Sequence, residues 1–568
     1  MPIRARRTLL LVIAAAVPGF LLAQPPRPSR RTIPITAAAV PEPTAPFTRP
    51  ERTGYNETST FDDVRAFLAT LAAQKAPFSL DTLGTTTEGR VIPLVIASRP
   101  VVRTPAEARA LKRPIVLVQA NIHAGEVEGK EAVQALLRDL SHVPGKSLLD
   151  SIVLLVIPIY NVDGNEKFAS QSVNRTEQNG PELVGQRPNA ASLDLNRDYV
   201  KAEAPETRGA LALFNAWDPD VFMDLHTTDG SFHGYALTYA PSLHPAAMLM
   251  PWVRDTMLPA IRARMQRRHG VAVFDYGNFS ADFRERVTDT VKSGWFTYDH
   301  RQRFGTNYYG LRGKLSILSE AYSHDPFEVR VRSTYLFVRE VLSYVAERSA
   351  RVRTLVRAAG AAGGWPAAQP LPVRAAITST PRQLPVILEQ LVRDSAMTPT
   401  QPGVPKGMRR TGRFITQVMP VADRFDVTET TTLPVGWILD ASMEPIVERL
   451  RRHGVRVERV SAPAMAPVAS WMVDSLAVSP RLFQGHREMR VVAHLVPSPT
   501  GATREVAAGS YLVPRAQPLG ALAALLLEPG SDDSFATWNA LDSLLAPGAP
   551  YPVLRLLAPL PPSPSARK

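Results

Sequence analysis

The sequence predicts an α/β fold over residues 51–348, with a mixed, largely parallel sheet and helices on both faces, and three observations carry that expectation. Strand-like and helix-like segments alternate through this stretch. Several of the strand-like segments, 115–120 and 152–158 among them, are continuous apolar runs, the pattern of a strand covered on both faces. His123, His226 and Glu320 each fall at the end of a different predicted strand, where open α/β sheets gather their ligands. A separate mixed α/β region is expected beyond residue 370.

Taken in order, the chain begins with Arg4, Arg6 and Arg7 ahead of an apolar run, 9–16, and Leu21-Leu22-Ala23. This is the layout of a signal peptide over 1–23, so the protein is expected to be secreted or periplasmic. The run is short for a membrane span and contains Pro18, and no other stretch is apolar enough, so no span is expected once the signal is removed. Residues 24–50, rich in Pro, Arg and Ala, read as disordered. Ser59-Thr60 caps a helix over 61–71. Strand-like runs follow at 80–86, 91–98 and 115–120, then a helix over 129–140. The strand 152–158 ends in a turn at 160–164, and 165–193 is polar and irregular. A helix over 204–217, a strand over 219–226, a basic helix over 246–270, a strand over 315–320 and a helix over 329–347 complete the block.

Residues 349–370 read as a linker and 371–550 as an accessory domain of unknown role. Within it lie strands at 435–439 and 455–460 and helices at 443–453 and 519–527. His453 and His486 are expected as surface or packing residues, and 551–568 as a proline-rich tail.

Composition narrows the chemistry. The 568 residues carry 65 Lys and Arg against 52 Asp and Glu, a net charge of +13. The arginines are scattered, with no basic arm or nucleic-acid motif, so no nucleic-acid partner is expected. The absence of cysteine excludes disulfides, a thiol nucleophile and a lipid-anchoring cysteine. No His-Glu-x-x-His and no Gly-x-Ser-x-Gly occurs. What remains is His123-Ala-Gly-Glu126: an imidazole and a carboxylate three residues apart, at the mouth of a strand, suited to one cation. Zinc accepts this mixture of ligands and, in catalytic sites, takes three from the protein. His226 supplies the third.

The order of His123-Ala-Gly-Glu126, Asn161-Val-Asp-Gly164, Asn196-Arg197, Asp224-Leu-His226-Thr and Ser319-Glu320-Ala-Tyr322 resembles that of the zinc carboxypeptidase family, over roughly half the chain. The resemblance implies one zinc ion per chain on His123, Glu126 and His226, with Glu320 as general base. It implies that Asn196 and Arg197 read the substrate's terminal carboxylate, the guanidinium through paired hydrogen bonds. Arg175 falls near the family's oxyanion-stabilising arginine, with Arg187 as its competitor. Tyr298 falls near its mobile tyrosine, with Tyr308 and Tyr309 as rivals. Asp198, directly after Arg197, is expected to neutralise it in part. Asp224 is assigned to the strand face opposite His226, with at most a supporting role. The function implied is an exported metallocarboxypeptidase acting on peptides with a free C-terminus. The same residues suit two alternatives, a zinc amidohydrolase acting on acyl-amino acids or peptidoglycan stem peptides, and a non-catalytic peptide-binding protein. The last 200 residues do not resemble the small transthyretin-like sandwich that often follows such a domain.

Overall fold

The computed structural model describes residues 43–279, 293–394, 404, 407–496 and 503–561. The expected signal segment 1–23 lies outside them, as does most of the stretch 24–50. The end of that stretch is structured: Thr48 caps a short helix over Arg49–Arg52, and Pro50 is buried.

Eight strands form the main sheet: β1 (Phe78–Thr85), β2 (Val91–Ala97), β3 (Ile115–Ala120), β4 (Val153–Ile157), β5 (Val221–Thr227), β6 (Leu237–Pro241), β7 (Val273–Asp275) and β8 (Leu315–Ala321). Their order is β1-β2-β4-β3-β5-β8-β6-β7. The four central strands β4, β3, β5 and β8 are mutually parallel. β1 and β2 run antiparallel on one side, and β6 joins β8 antiparallel on the other. Every residue of the four central strands is buried, as their continuous apolar runs require.

Helices cover both faces, and the alternation of side chains along β5 shows which covers which. Helix α1 (Glu128–Ser141) lies on the face of Leu225, so close that a β-carbon on Gly129 would stand 2.8 Å from the Cβ of Leu225. Helix α2 (Gly305–Leu311) lies on the opposite face, where the Tyr309 and Phe222 ring centroids are 4.3 Å apart. Helix α3 (Phe327–Glu347) packs on α1. Among the described residues, no helix is long and apolar enough to cross a membrane.

Beyond α3, the expected linker 349–370 contains a helix, Ser349–Ala361, whose Val352, Val356 and Ala359 are buried. The remaining chain forms several smaller sheets. Arg382–Arg393 pairs antiparallel with Met408–Ala422, and Leu371–Ile377 with Phe425–Thr431. A six-stranded sheet contains Tyr511–Pro514, Gly436–Leu439, Leu554–Leu556 and Val468–Val478 as successive neighbours. Leu554–Leu556 thus lies inside a sheet, although 551–568 reads as a tail. The apolar interior is continuous between the two halves: Tyr308, Tyr309, Trp437, Leu525 and Trp538 belong to one buried cluster. His453 is fully buried at this joint, with Nδ1 2.7 Å from the Tyr308 hydroxyl and Nε2 3.1 Å from the Val200 carbonyl.

Candidate active site and metal centre

The chain leaves β3 through a turn built for close packing. Asn121 takes a left-handed backbone (φ 62), which asparagine tolerates better than most residues. Its side-chain amide donates to the carbonyls of Ala124 (3.2 Å) and Glu126 (3.3 Å). Gly125 allows the Arg175 side chain to cross the turn, because a β-carbon there would stand 2.7 Å from Arg175 Cγ. Asn161, just past β4, accepts from the Gly164 N–H (2.9 Å) and donates to the carbonyls of Ile122 (3.3 Å) and Arg187 (3.1 Å). The Asn-x-Asp-Gly turn is therefore a brace for the loop that carries His123.

Three side chains converge above these strand ends. The Nδ1 atoms of His123 and His226 lie 3.0 and 2.9 Å from the two oxygens of Glu126. The potential ligand atoms of the three residues all lie within 4.8 Å of one another. Each ring turns its Nε2 to a different carboxylate, His123 to Asp194 (3.1 Å) and His226 to Asp224 (3.1 Å). A carboxylate that holds Nε2–H leaves the Nδ1 lone pair free for a metal and fixes the ring's direction. Two imidazole nitrogens and a carboxylate form a donor set that zinc accepts. The contact with Asp224 corrects the expectation that it points away from His226. Side chains alternate along a strand, so residues two apart share a face.

The charges fit this arrangement. Burial alone would raise the Glu126 carboxyl, but His123, Arg175 and His226 outweigh it and hold it well below the usual range. Asp194 is likewise held low, because His123, Arg187 and Arg197 outweigh its burial. Glu320 is different. It is the register partner of His226 on the neighbouring parallel strand, so both side chains leave the sheet on one face. Its carboxylate accepts no hydrogen bond among the described residues. Burial, with Glu126 and Asp229 adding to it, raises its pKa well above the ordinary value against the opposing pull of His226.

Asn196 and Arg197 lie beside this cluster. The Asn196 Oδ1 accepts from the Gly305 N–H (2.9 Å), and its Nδ2 lies 3.5 Å from His226 Nε2. The Arg197 guanidinium rests 4.0 Å from the centroid of the Phe304 ring and pairs with no carboxylate among the described residues. Asp198 does not neutralise it. That carboxylate accepts from the N–H groups of Glu203 (3.1 Å) and Ala204 (2.9 Å) and pairs with Lys201 (3.2 Å).

Both candidate arginines reach Glu126, in different states. The Arg175 side chain is 6% exposed and donates to Glu126 (3.0 Å) and to the carbonyls of Thr227 and Thr228 (3.2 and 3.0 Å). The Arg187 side chain is 36% exposed, lies 2.9 Å from Asp194, and keeps one nitrogen 3.6 Å from Glu126. Of the tyrosines, Tyr308 meets His453 and Tyr309 stacks on Phe214, both in the core. Tyr298 packs edge-on against Phe304 at 5.5 Å and donates its hydroxyl proton to Asn307 (3.2 Å). Burial raises its pKa well above the ordinary value, and the charge of Glu320 adds to the shift.

Sequence reasoning misses Asp194, although it stands two residues before Asn196 and a histidine expected to bind metal calls for such a partner. It also misses Gln484, 290 positions further along the chain, whose side-chain oxygen accepts from the Asp194 N–H at 2.8 Å.

The model of the family described as zinc carboxypeptidase matches residues 64–314. Carboxypeptidase 2 of Trichophyton equinum is 24% identical over 503 residues, covering 83% of this chain and 81% of its own length. Carboxypeptidase 2 of Trichophyton rubrum is 24% identical over 499 residues with the same coverage. A metallo-carboxypeptidase from Burkholderia cenocepacia has a TM-score of 0.37 at 20% identity, covering 51% of this chain and 70% of that one. One from Pseudomonas aeruginosa, in complex with (2-guanidinoethylmercapto)succinic acid, has a TM-score of 0.36 at 19% identity, covering 52% of this chain and 70% of that one. Residues 64–314 thus match the zinc carboxypeptidase family, and the curated relatives matched over most of the chain are carboxypeptidases.

Proposed function

We propose that the protein is an exported metallocarboxypeptidase that removes C-terminal residues from peptides, with His123, Glu126 and His226 as its zinc ligands. The observation that carries this reading is the meeting of the two Nδ1 atoms and the Glu126 carboxylate beside Glu320, whose own carboxylate accepts no hydrogen bond among the described residues. Bound zinc supplies Lewis acidity, which polarises a carbonyl oxygen and acidifies water. Glu320 takes the proton of the attacking water on a carboxylate oxygen and returns it to the leaving amine, a role for which its burial-raised affinity for protons suits it. Arg197, stacked on Phe304 without a carboxylate partner, takes the terminal carboxylate of the substrate, with Asn196 beside it.

Burial separates the roles of the two arginines. Arg175 is committed to Glu126 and to the end of β5, so it fixes a metal ligand. Arg187, the more open of the two, neutralises the developing oxyanion. Tyr298, next to Phe304 and within the field of Glu320, closes over the substrate. Export rests on the basic, apolar and small-residue layout of residues 1–23.

The test is Glu320→Gln. The variant is expected to keep one zinc per chain while kcat falls by about 10²- to 10⁴-fold on peptides with a free C-terminus. A zinc-loaded variant that turns over like the unaltered protein would overturn the assignment. Equal cleavage of C-terminally amidated peptides by the unaltered protein would overturn the direction of attack and favour an amidohydrolase.

A further inference from the structure

We propose that Asp533 and Trp538, far along the chain in the C-terminal half, are positioning residues for the carboxylate-reading pair Asn196 and Arg197. The inference rests on the role given to that pair above. Its basis is a short loop, 300–305, tied at one end to the C-terminal half and touching the pair at the other.

At the first end, the Asp533 carboxylate is fully buried and accepts four hydrogen bonds. They come from the Arg303 backbone N–H (2.7 Å), Arg303 Nε (3.1 Å), Arg303 Nη2 (2.9 Å) and Trp538 Nε1 (2.8 Å). The Asp533 carbonyl accepts from the Gln302 side chain at 2.9 Å, and Asp532 meets His300 at 2.9 Å. The Arg303 guanidinium lies 4.5 Å from the Trp538 ring centroid and 5.6 Å from that of Phe483. Residues 300–303 are therefore fixed by backbone, side chain and ring contacts together. The buried Arg303 guanidinium is held by the carboxylates of Asp533 (2.9 Å) and Glu488 (2.6 Å) and by two aromatic faces, so moving it breaks several contacts at once.

At the other end, the next two residues are those that meet the pair. Phe304 is the surface on which the Arg197 guanidinium lies, and the Gly305 N–H is the donor that fixes the Asn196 side-chain amide. A stacked guanidinium keeps its in-plane N–H groups directed outward, so the tilt of the Phe304 ring sets the direction in which Arg197 presents them. Phe304 directly follows Arg303 in the chain, so a displacement of Arg303 is passed on to it. The segment carrying the pair rests on the same support. Gln484 accepts from the Asp194 N–H at 2.8 Å, His486 pairs with Glu203 at 3.0 Å, and Lys201 lies 4.5 Å from the Trp538 ring centroid.

The experiment is steady-state kinetics of the zinc-loaded full chain on an N-blocked dipeptide with a free carboxylate, for Asp533→Asn, Phe304→Leu and Arg197→Gln. Asp533→Asn is expected to raise KM about tenfold with kcat within about twofold and one zinc retained, the signature of a displaced binding group. Phe304→Leu is expected to move KM in the same direction, and it decides the matter alone if Asp533→Asn fails to fold. A KM unmoved in every folded variant of these two overturns the proposal, as does a fall in kcat without a rise in KM. Arg197→Gln separates the two readings. A KM unmoved there overturns the role of the pair, whereas a KM raised only there overturns the clamp and leaves the pair's role standing.

Discussion

The centre of the main sheet and the sheets beyond residue 370 bury their strands in opposite ways. β3, β4, β5 and β8 have no exposed residue. Arg382–Arg393 and Met408–Ala422 mix buried and exposed positions, and Val418 is 66% exposed. A strand enclosed on both faces leaves a polar side chain few places except its end, so reactive groups collect there and are conspicuous. A half-exposed strand scatters its polar groups, and none of them marks a function. The C-terminal half nevertheless reaches the active site, through contacts such as those of Gln484 with Asp194 and of Asp533 with Arg303. The two halves differ in how they show their contribution, not in whether they make one.

The contrast breaks most visibly if the halves come apart. A chain ending after residue 348 loses the His453 partner of Tyr308 and the Asp533 partner of Arg303. It is expected to show no cooperative thermal transition. A soluble fragment with its own sharp melt and bound zinc would show the halves to be independent. The next largest effect lies within the site. Arg187→Ala should keep its zinc and lose about 10²- to 10³-fold in kcat. Arg175→Ala should instead weaken zinc binding about 10- to 100-fold, because Glu126 loses a buried cation, as competition with a chelator would measure.

Core substitutions sharpen the comparison further. Leu155→Ala, in fully buried β4, should cost about 2–5 kcal/mol in urea unfolding, while Val418→Ala should stay within about 0.5 kcal/mol. The smaller remaining effect is set by pH at the joint between the halves. Burial, reinforced by Arg312, holds His453 down at about 3. A folded-state pKa below the unfolded value of 6.5 means that its contribution is present above pH 6.5 and is lost as pH falls towards 3. By pH 5 the loss is about 2 kcal/mol, and His453→Gln should flatten that part of the stability–pH curve by about one proton.

The sequence displays what the fold places at buried strand ends. His123, His226 and Glu320 are legible because apolar runs stop abruptly beside them, and the signal is strongest where the sheet is parallel. Asp224 is misjudged through an error of strand period rather than missing information, since residues two apart share a face. Arg175 and Arg187 cannot be ranked by spacing, because what separates them is which guanidinium is already saturated by other groups. Leu554–Leu556 reads as tail because a three-residue strand between prolines has too few side chains to show a pattern. Asp533 is invisible for another reason: it acts on a residue 230 positions earlier, and it carries no motif of its own.

That separation bears on the order in which a newly made molecule becomes competent. Every proposed zinc ligand, and Glu320 with them, precedes residue 321, yet the strands that hold them share one apolar interior with residues made much later. The support under Phe304 comes more than two hundred codons later. A nascent protease of this design would gain its metal and its grip on peptide ends together, once the last segments dock, leaving neighbouring unfolded chains uncut during synthesis.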